Sequence, residues 1–117
     1  MAVTAAGSGT KTVAAVGTAE TLLDVATAGT YTLHVDKSNM VGGDVLELRI
    51  YQIVLTGGTR RVAYYGMWTG QQAADDMIAI SVPISNELTD AGALRFELNQ
   101  KAGVGVRAFP WKVLKYA

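Results

Sequence analysis

Short runs in which apolar and polar residues alternate, separated by glycine-rich turns, constrain this 117-residue chain more than any other feature. In residues 30–36, Tyr31, Leu33 and Val35 alternate with polar residues, and residues 45–55 repeat the pattern. Successive side chains of a strand point to opposite faces, so a period of two predicts strands with one apolar face. The chain is therefore expected to fold into β-structure without a helix.

About seven strands are predicted from this pattern. Glycine pairs such as Gly57-Gly58 separate them, since glycine readily adopts the positive φ angles of tight turns. Strands at this spacing, in a chain long enough for one domain, predict an all-β fold: an antiparallel β-sandwich of jelly-roll or Greek-key type. Pro83 is expected at an edge or where its strand leaves the sheet, and Pro110 at an edge or a bulge, because proline cannot donate a ladder hydrogen bond. The predicted strands are residues 22–26, 30–36, 45–55, 60–69, 77–84, 94–99 and 107–116.

Residues 1–18 differ from the rest in composition: they are almost entirely Ala, Val, Gly, Thr and Ser, and Lys11 is their only charged side chain. β-Branched residues mixed with glycine predict an extended arm or a weak edge strand. We therefore divide the chain into an extended N-terminal arm, 1–18, and a β-sandwich domain, 19–117. Strand addition to a neighbouring subunit is the expected role of the arm, and a frayed terminus is the alternative. The partner-interface candidates in the arm are Val3, Thr4, Lys11, Thr12 and Val13.

Charge and composition restrict the partners. Ten Lys+Arg balance ten Asp+Glu, which argues against nucleic acid and against a polybasic membrane contact. Charged residues make up 17% of the chain, below the roughly 25% of ordinary soluble domains. We expect such a domain to cover apolar surface with other chains, as a homodimer or homotrimer; a well-packed monomer is the alternative. The first residues lack the features of a signal peptide, and the apolar runs are too short to span a membrane.

Residues that could carry out chemistry are few. The chain has no cysteine, which excludes disulfides and thiolate metal sites, and His34 is its single histidine. It contains no nucleophile-elbow or calcium-loop motif, and the adjacent carboxylates of Asp75 and Asp76 are expected to diverge in a loop. We therefore predict that the protein is not an enzyme and has no catalytic, cofactor-binding or metal-binding residues.

A second group of partner-interface candidates combines arginine with aromatic side chains: Arg60, Arg61, Tyr65 and Trp68. These residue types are enriched at protein interfaces. Core packing is the first interpretation of the aromatic residues, a protein interface the second, stacking on sugar rings the third and stacking on nucleic acid the last. Tyr65 and Trp68 have opposite parity along the strand, so one of the two is expected to face away from the core.

Three segments of the sequence resemble small virion structural proteins that tailed bacteriophages encode beside the major capsid protein. They are residues 31–36 (Tyr-Thr-Leu-His-Val-Asp), residues 43–51 and residues 107–116, of which Phe109-Pro110-Trp111-Lys112-Val113 is the most distinctive part. The resemblance spans residues 30–117. It implies a capsid decoration, or cement, protein without cofactors, which binds the major capsid protein on the outer surface of the virion and stabilises the shell as an oligomer.

Two other functions are compatible with the same sequence. One is a carbohydrate-binding β-sandwich module, in which the ring of Tyr65 or Trp68 is exposed for stacking. The other is a virion adhesin or tail protein. For a cement protein that attaches through its arm, deletion of residues 1–18 is expected to abolish attachment.

Overall fold

The computed structural model describes residues 2–116, which form nine β-strands in two antiparallel sheets and contain no helix. No membrane-spanning helix is therefore present within this range. The strands are β1 (Val3–Thr12), β2 (Ala19–Val25), β3 (Gly29–Asp36), β4 (Val45–Gln52), β5 (Arg61–Thr69), β6 (Ile78–Ile80), β7 (Ile84–Asn86), β8 (Leu94–Ala102) and β9 (Ala108–Tyr116).

The strand order is that of a jelly roll. The first sheet has the order β1-β9-β3-β6, with β7 also paired to β3, and the second has the order β2-β8-β4-β5. Along the chain, β4 pairs with β5, β3 with β6 and β7, β2 with β8, and β1 with β9. This is one long hairpin, which the β3–β9 and β4–β8 pairs roll into a sandwich. The predicted antiparallel β-sandwich is thereby confirmed.

The core lies between the sheets and consists of the side chains that the period of two placed on one face. Leu46, Leu48 and Ile50 of β4 are buried, as is Leu33 of β3. Burial of each such side chain contributes about 1.5–3 kcal/mol.

Residues 77–84, predicted as one strand, form two short strands with Pro83 in the gap between them. The gap follows from the missing donor of proline. Ile78, Ile80 and Val82 share a face that is exposed to solvent, while Ala79 and Ser81 face inward. Ser81 is held there by hydrogen bonds in both directions with the backbone of Leu33.

Pro110 lies neither at a sheet edge nor at a bulge, contrary to the prediction. It belongs to β9, which has neighbours on both sides. The last pair of the β3–β9 ladder is Val35–Trp111, so the ladder stops at the residue that follows Pro110 in the sequence. Pro110 itself is paired only with Thr10 of β1. The central strand therefore accommodates proline because proline occupies the position just beyond one of its two ladders.

The segment predicted as an arm contributes an edge strand to the first sheet. β1 pairs with β9 from Val3–Tyr116 to Thr12–Ala108, with a bulge between Ala5 and Gly7. After β1 the chain turns inward and Val13 enters the core, 1% exposed. Deletion of residues 1–18 would therefore remove an edge strand and a core side chain, so it would test stability together with attachment.

Candidate functional site

The strand pairings bring four loops to one end of the sandwich. Ala19 pairs with Asn99, so the loop 13–18 lies beside the end of β8 and the loop 103–107. The start of β4, preceded by the loop 37–44, is paired to the ends of β5 and β8. The loop 70–77 leaves β5 at this end, whereas the loop 53–60 between β4 and β5 lies at the opposite end.

Three of these four loops expose valine side chains, although nothing in their turns requires apolar residues. Val104 is 96% exposed, so almost its whole side chain contacts solvent. We call the set the valine surface: Val16, Val41, Val104 and Val106. Exposed apolar side chains gathered at one end of a domain are typical of an interaction site.

A buried ion pair joins two of the loops beneath the valine surface. Arg107 Nε donates to Asp44 Oδ2 over 2.9 Å, and the side chain of Asp44 is fully buried. The same oxygen accepts the backbone N–H of Val41 at 3.0 Å. Asp44 therefore ties the loop that carries Val41 to the loop that carries Val104 and Val106.

Gln100, at the end of β8, fixes the tip of the loop 103–107 and is fully buried. Its Nε2 donates to the carbonyl of Gly105 at 2.7 Å, and its Oε1 accepts the N–H of Arg107 at 2.8 Å. Its backbone carbonyl accepts the N–H of Gly17 at 2.8 Å, so Gln100 also holds the loop that carries Val16. The valine surface is thus preorganised, so binding to it loses little conformational entropy.

The candidates on β5 and the loop before it have different surroundings. Tyr65 is 47% exposed and Arg61 is exposed, whereas Trp68 packs against the core. The Nζ atom of the buried Lys37 lies 4.7 Å from the Trp68 ring centroid, donates to Gln72 at 3.1 Å and pairs with Asp76 at 3.6 Å, so the buried charge is compensated. Arg60 donates to the carbonyl of Gly92 at 3.4 Å.

Tyr65 belongs to a polar network on the outer face of the second sheet. Its hydroxyl donates to Glu47, whose carboxylate also accepts from Arg49 and lies 3.7 Å from Lys101 Nζ. The Tyr65 hydrogen bond, followed by Arg49 and Lys101, lowers the pKa of Glu47 despite its burial. The Arg49 guanidinium lies over the Tyr65 ring, 4.9 Å from its centroid, and so occupies a face on which a sugar would stack.

The candidates on β1 do not join those on β5, because the two strands lie on opposite sides of the sandwich. Val3 and Thr4 are exposed at the start of β1, Thr12 is exposed at its end, and Lys11 forms an ion pair with Glu20 at 3.5 Å. Val13 differs from them, since its burial leaves no side-chain surface for a partner.

The sequence interpretation did not select the valine surface. The available signal was the turn Gly103-Val104-Gly105-Val106, where valine alternates with glycine although a turn needs no apolar side chains. The exposed Val54 and Leu55, in the loop at the opposite end, were also absent from the predicted candidates.

His34 lies on the outer face of the first sheet, beside an open groove of about 540 Å³ that also contacts Asp36, Ile78 and Lys112. Its Nε2 atom is 3.0 Å from the hydroxyl of Thr32. Within residues 2–116, no group of three or more histidine and acidic side chains is arranged to hold a metal ion.

Acidification below the normal histidine pKa is expected to weaken folding through His34. Burial, and secondly the charge of Lys112, lowers the pKa of His34 from its usual 6.5. His34 therefore binds a proton more tightly in the unfolded chain than in the folded one. The free energy of unfolding is unaffected by His34 above pH 6.5 and decreases as the pH falls from there towards the folded-state pKa. Urea unfolding at about pH 7.5 and about pH 5.5 should show a larger loss for the unaltered protein than for His34→Gln. Equal losses would contradict this assignment.

Comparisons with known proteins gave a structural match but no family match. No family model matches the chain, and no curated protein matches it. Among solved structures, the chain is similar to a chain in the structure of infectious bursal disease virus, Gx strain. The TM-score of this match is 0.47 and the sequence identity is 16%. The match covers 97% of this chain and 30% of that one, so the chain corresponds to less than a third of the neighbour's length.

Proposed function

We propose that this chain is a non-enzymatic virion structural protein, a capsid decoration or cement protein that binds the shell of the major capsid protein on its outer surface. The observation that carries the proposal is the valine surface, held by Asp44 and Gln100 beneath it. We take the major capsid protein as the partner because residues 30–117 resemble small phage virion proteins.

The chemistry of the valine surface favours a protein partner with apolar side chains of its own. The charges beneath the surface, those of Asp44 and Arg107, neutralise each other, and the exposed side chains are aliphatic. Covering such side chains contributes about 25 cal/mol per Å² of apolar area removed from water. A shell offers many identical copies of one binding site, so linked copies of this chain would bind with higher avidity than a single copy.

Purified chain should co-sediment with mature phage shells stripped of their small outer proteins, and binding should saturate at a fixed ratio to the major capsid subunit. Val104→Glu should reduce affinity at least about tenfold, because it places a charge where apolar contact is needed. Val54→Glu is the matched control: Val54 is an exposed loop valine at the opposite end, 73% exposed, and its substitution should leave binding unchanged.

Each outcome of the co-sedimentation distinguishes one part of the proposal. Absence of saturable binding by the unaltered chain would contradict the capsid role. Equal binding by the folded Val104→Glu and Val54→Glu variants would contradict the role of the valine surface. The chain would then attach to the shell through another surface.

Carbohydrate binding is the second candidate, and the exposure of Tyr65 is the observation that favours it. We rank it lower because Arg49 lies over the Tyr65 ring and the Tyr65 hydroxyl already bonds to Glu47. A sugar would have to displace the guanidinium before it could stack.

A further inference from the structure

Four edges border the sandwich: β1 on one side of the first sheet and the short strands β6 and β7 on the other, and β2 and β5 in the second sheet. An edge strand presents unpaired backbone N–H and C=O groups, which can pair with a strand of another chain. Proteins limit such pairing by short edges, charges, prolines or bulges, so the edges of one domain can be compared by these features.

Three of the edges are poorly suited to pairing with a second copy. β6 and β7 have three residues each and are separated by Pro83. β2 carries Glu20 and Asp24 on either side of its middle residue, so antiparallel pairing of two β2 strands would bring acidic side chains together. β1 consists mostly of small residues and carries one large exposed hydrophobic side chain, Val3.

β5 has the opposite properties. It is nine residues long, has no proline, and carries its only charge, Arg61, at its first position. Val62, Tyr65 and Met67 are about half exposed, at 50%, 47% and 52%. β5 is therefore the long edge with the most exposed apolar surface and the least internal charge.

We propose that β5 pairs antiparallel with β5 of a second copy about a two-fold axis, so that the two four-stranded sheets become one continuous sheet. This homodimer goes beyond the capsid role and does not rest on it. The valine surface lies at the loop end and β5 lies at a side of the sandwich, so both surfaces can be occupied at once.

The local geometry of β5 selects the register. The pairing with β4 skips Ala63, since Ile50 pairs with Tyr64 and Tyr51 pairs with Val62. The regular part of β5 therefore begins at Tyr64, and paired residues must share a face. Two-fold axes at Gly66 and at Met67 both meet these conditions, and we select Gly66 because it places Tyr65 opposite Met67 of the second copy, where a thioether would contact an aromatic ring.

The charges at the two ends of the strand are complementary in this arrangement. Antiparallel pairing places the start of one β5, with Arg61, near the end of the other, where the loop 70–77 carries Asp75; Asp76 of that loop already pairs with Lys37 of its own chain at 3.6 Å. Within residues 2–116, Arg61 and Asp75 form no ion pair, and both side chains are exposed. Opposite charges therefore meet at both ends of the interface.

Sedimentation equilibrium of the purified chain should give twice the monomer mass. Met67→Lys should weaken dimerisation at least about 100-fold, because it removes apolar contact and places two like charges near the axis. Val82→Lys is the matched control: Val82 has the same exposure as Met67, 52%, but lies between β6 and β7 of the first sheet, so dimerisation of this variant should be unchanged. Circular dichroism of both variants verifies the fold. A monomeric unaltered chain, or a Met67→Lys dimer of unchanged affinity, would overturn the proposal.

Disulfide trapping tests the register directly, since the chain has no cysteine of its own. A mixture of Tyr65→Cys and Met67→Cys chains should form a mixed disulfide on oxidation, because these positions face each other across the proposed axis. Each variant alone should form little covalent dimer. Cross-linking of either variant alone, as efficient as in the mixture, would overturn the proposed pairing.

Discussion

Replacing Asp44 with alanine is expected to lower the free energy of unfolding by about 3 kcal/mol, because it removes one partner of a buried ion pair. Asp44 is fully buried and accepts hydrogen bonds from Arg107 and from the N–H of Val41. Without the Asp44 carboxylate, the N–H of Val41 has lost its acceptor. The Arg107 guanidinium, whose side chain is 26% exposed, has lost the negative charge that offsets its desolvation. Urea or thermal unfolding measures the change, which corresponds to roughly 10 °C in Tm.

Asp24→Ala is the control for this substitution. The Asp24–Arg95 pair is bidentate, with contacts of 2.8 Å from Arg95 Nε and 3.0 Å from Arg95 Nη2, but its side chains are 41% and 30% exposed. Solvent screens an exposed pair, so we expect a cost of about 1 kcal/mol or less. Equal costs for Asp24→Ala and Asp44→Ala would show that burial does not strengthen the Asp44 pair, and would contradict the proposed bracing of the valine surface.

Gly103→Ala is expected to destabilise the protein by about 3 kcal/mol, because two features at this position require glycine. The φ angle of Gly103 is 150°, which side chains rarely adopt. A Cβ atom would lie 2.5 Å from Asp44 Oδ1 and 2.7 Å from Gln100 Nε2, and both of these side chains are fully buried and hydrogen-bonded. The added methyl group would therefore displace Gln100 Nε2 from the carbonyl of Gly105 and push on the Asp44 carboxylate, whose other oxygen accepts from Arg107 and Val41.

Gly105→Ala, two residues further along the same turn, should be tolerated. A Cβ atom there meets nothing within 4 Å, and the φ angle of Gly105 is not positive. We expect its stability to stay within about 0.5 kcal/mol of the unaltered protein, as is usual for surface substitutions. Unfolding curves of the two alanine variants separate the requirement at Gly103 from a general effect of alanine in the turn. A Gly103→Ala protein as stable as Gly105→Ala would contradict the stated contact.

Local patterns in the sequence predicted the strands well and the candidate site poorly. The alternation around Leu33 and Leu48 marks strands because the period of two is a property of the strand itself. The same alternation in residues 78–82 did not say which face is buried. There the larger side chains face solvent, since Ser81 is fixed inward by the backbone of Leu33.

The sequence by itself determined an all-β domain, its approximate strands and its sparse charge, because each follows from composition or from neighbouring residues. Only the tertiary structure decided that residues 3–12 form an edge strand of the first sheet and that the valine surface is held rigidly. The contacts responsible are long-range: Asp44 and Arg107 are 63 residues apart, and β1 pairs with the last strand of the chain. Pairings of that kind depend on how the hairpin rolls up, which no local pattern encodes.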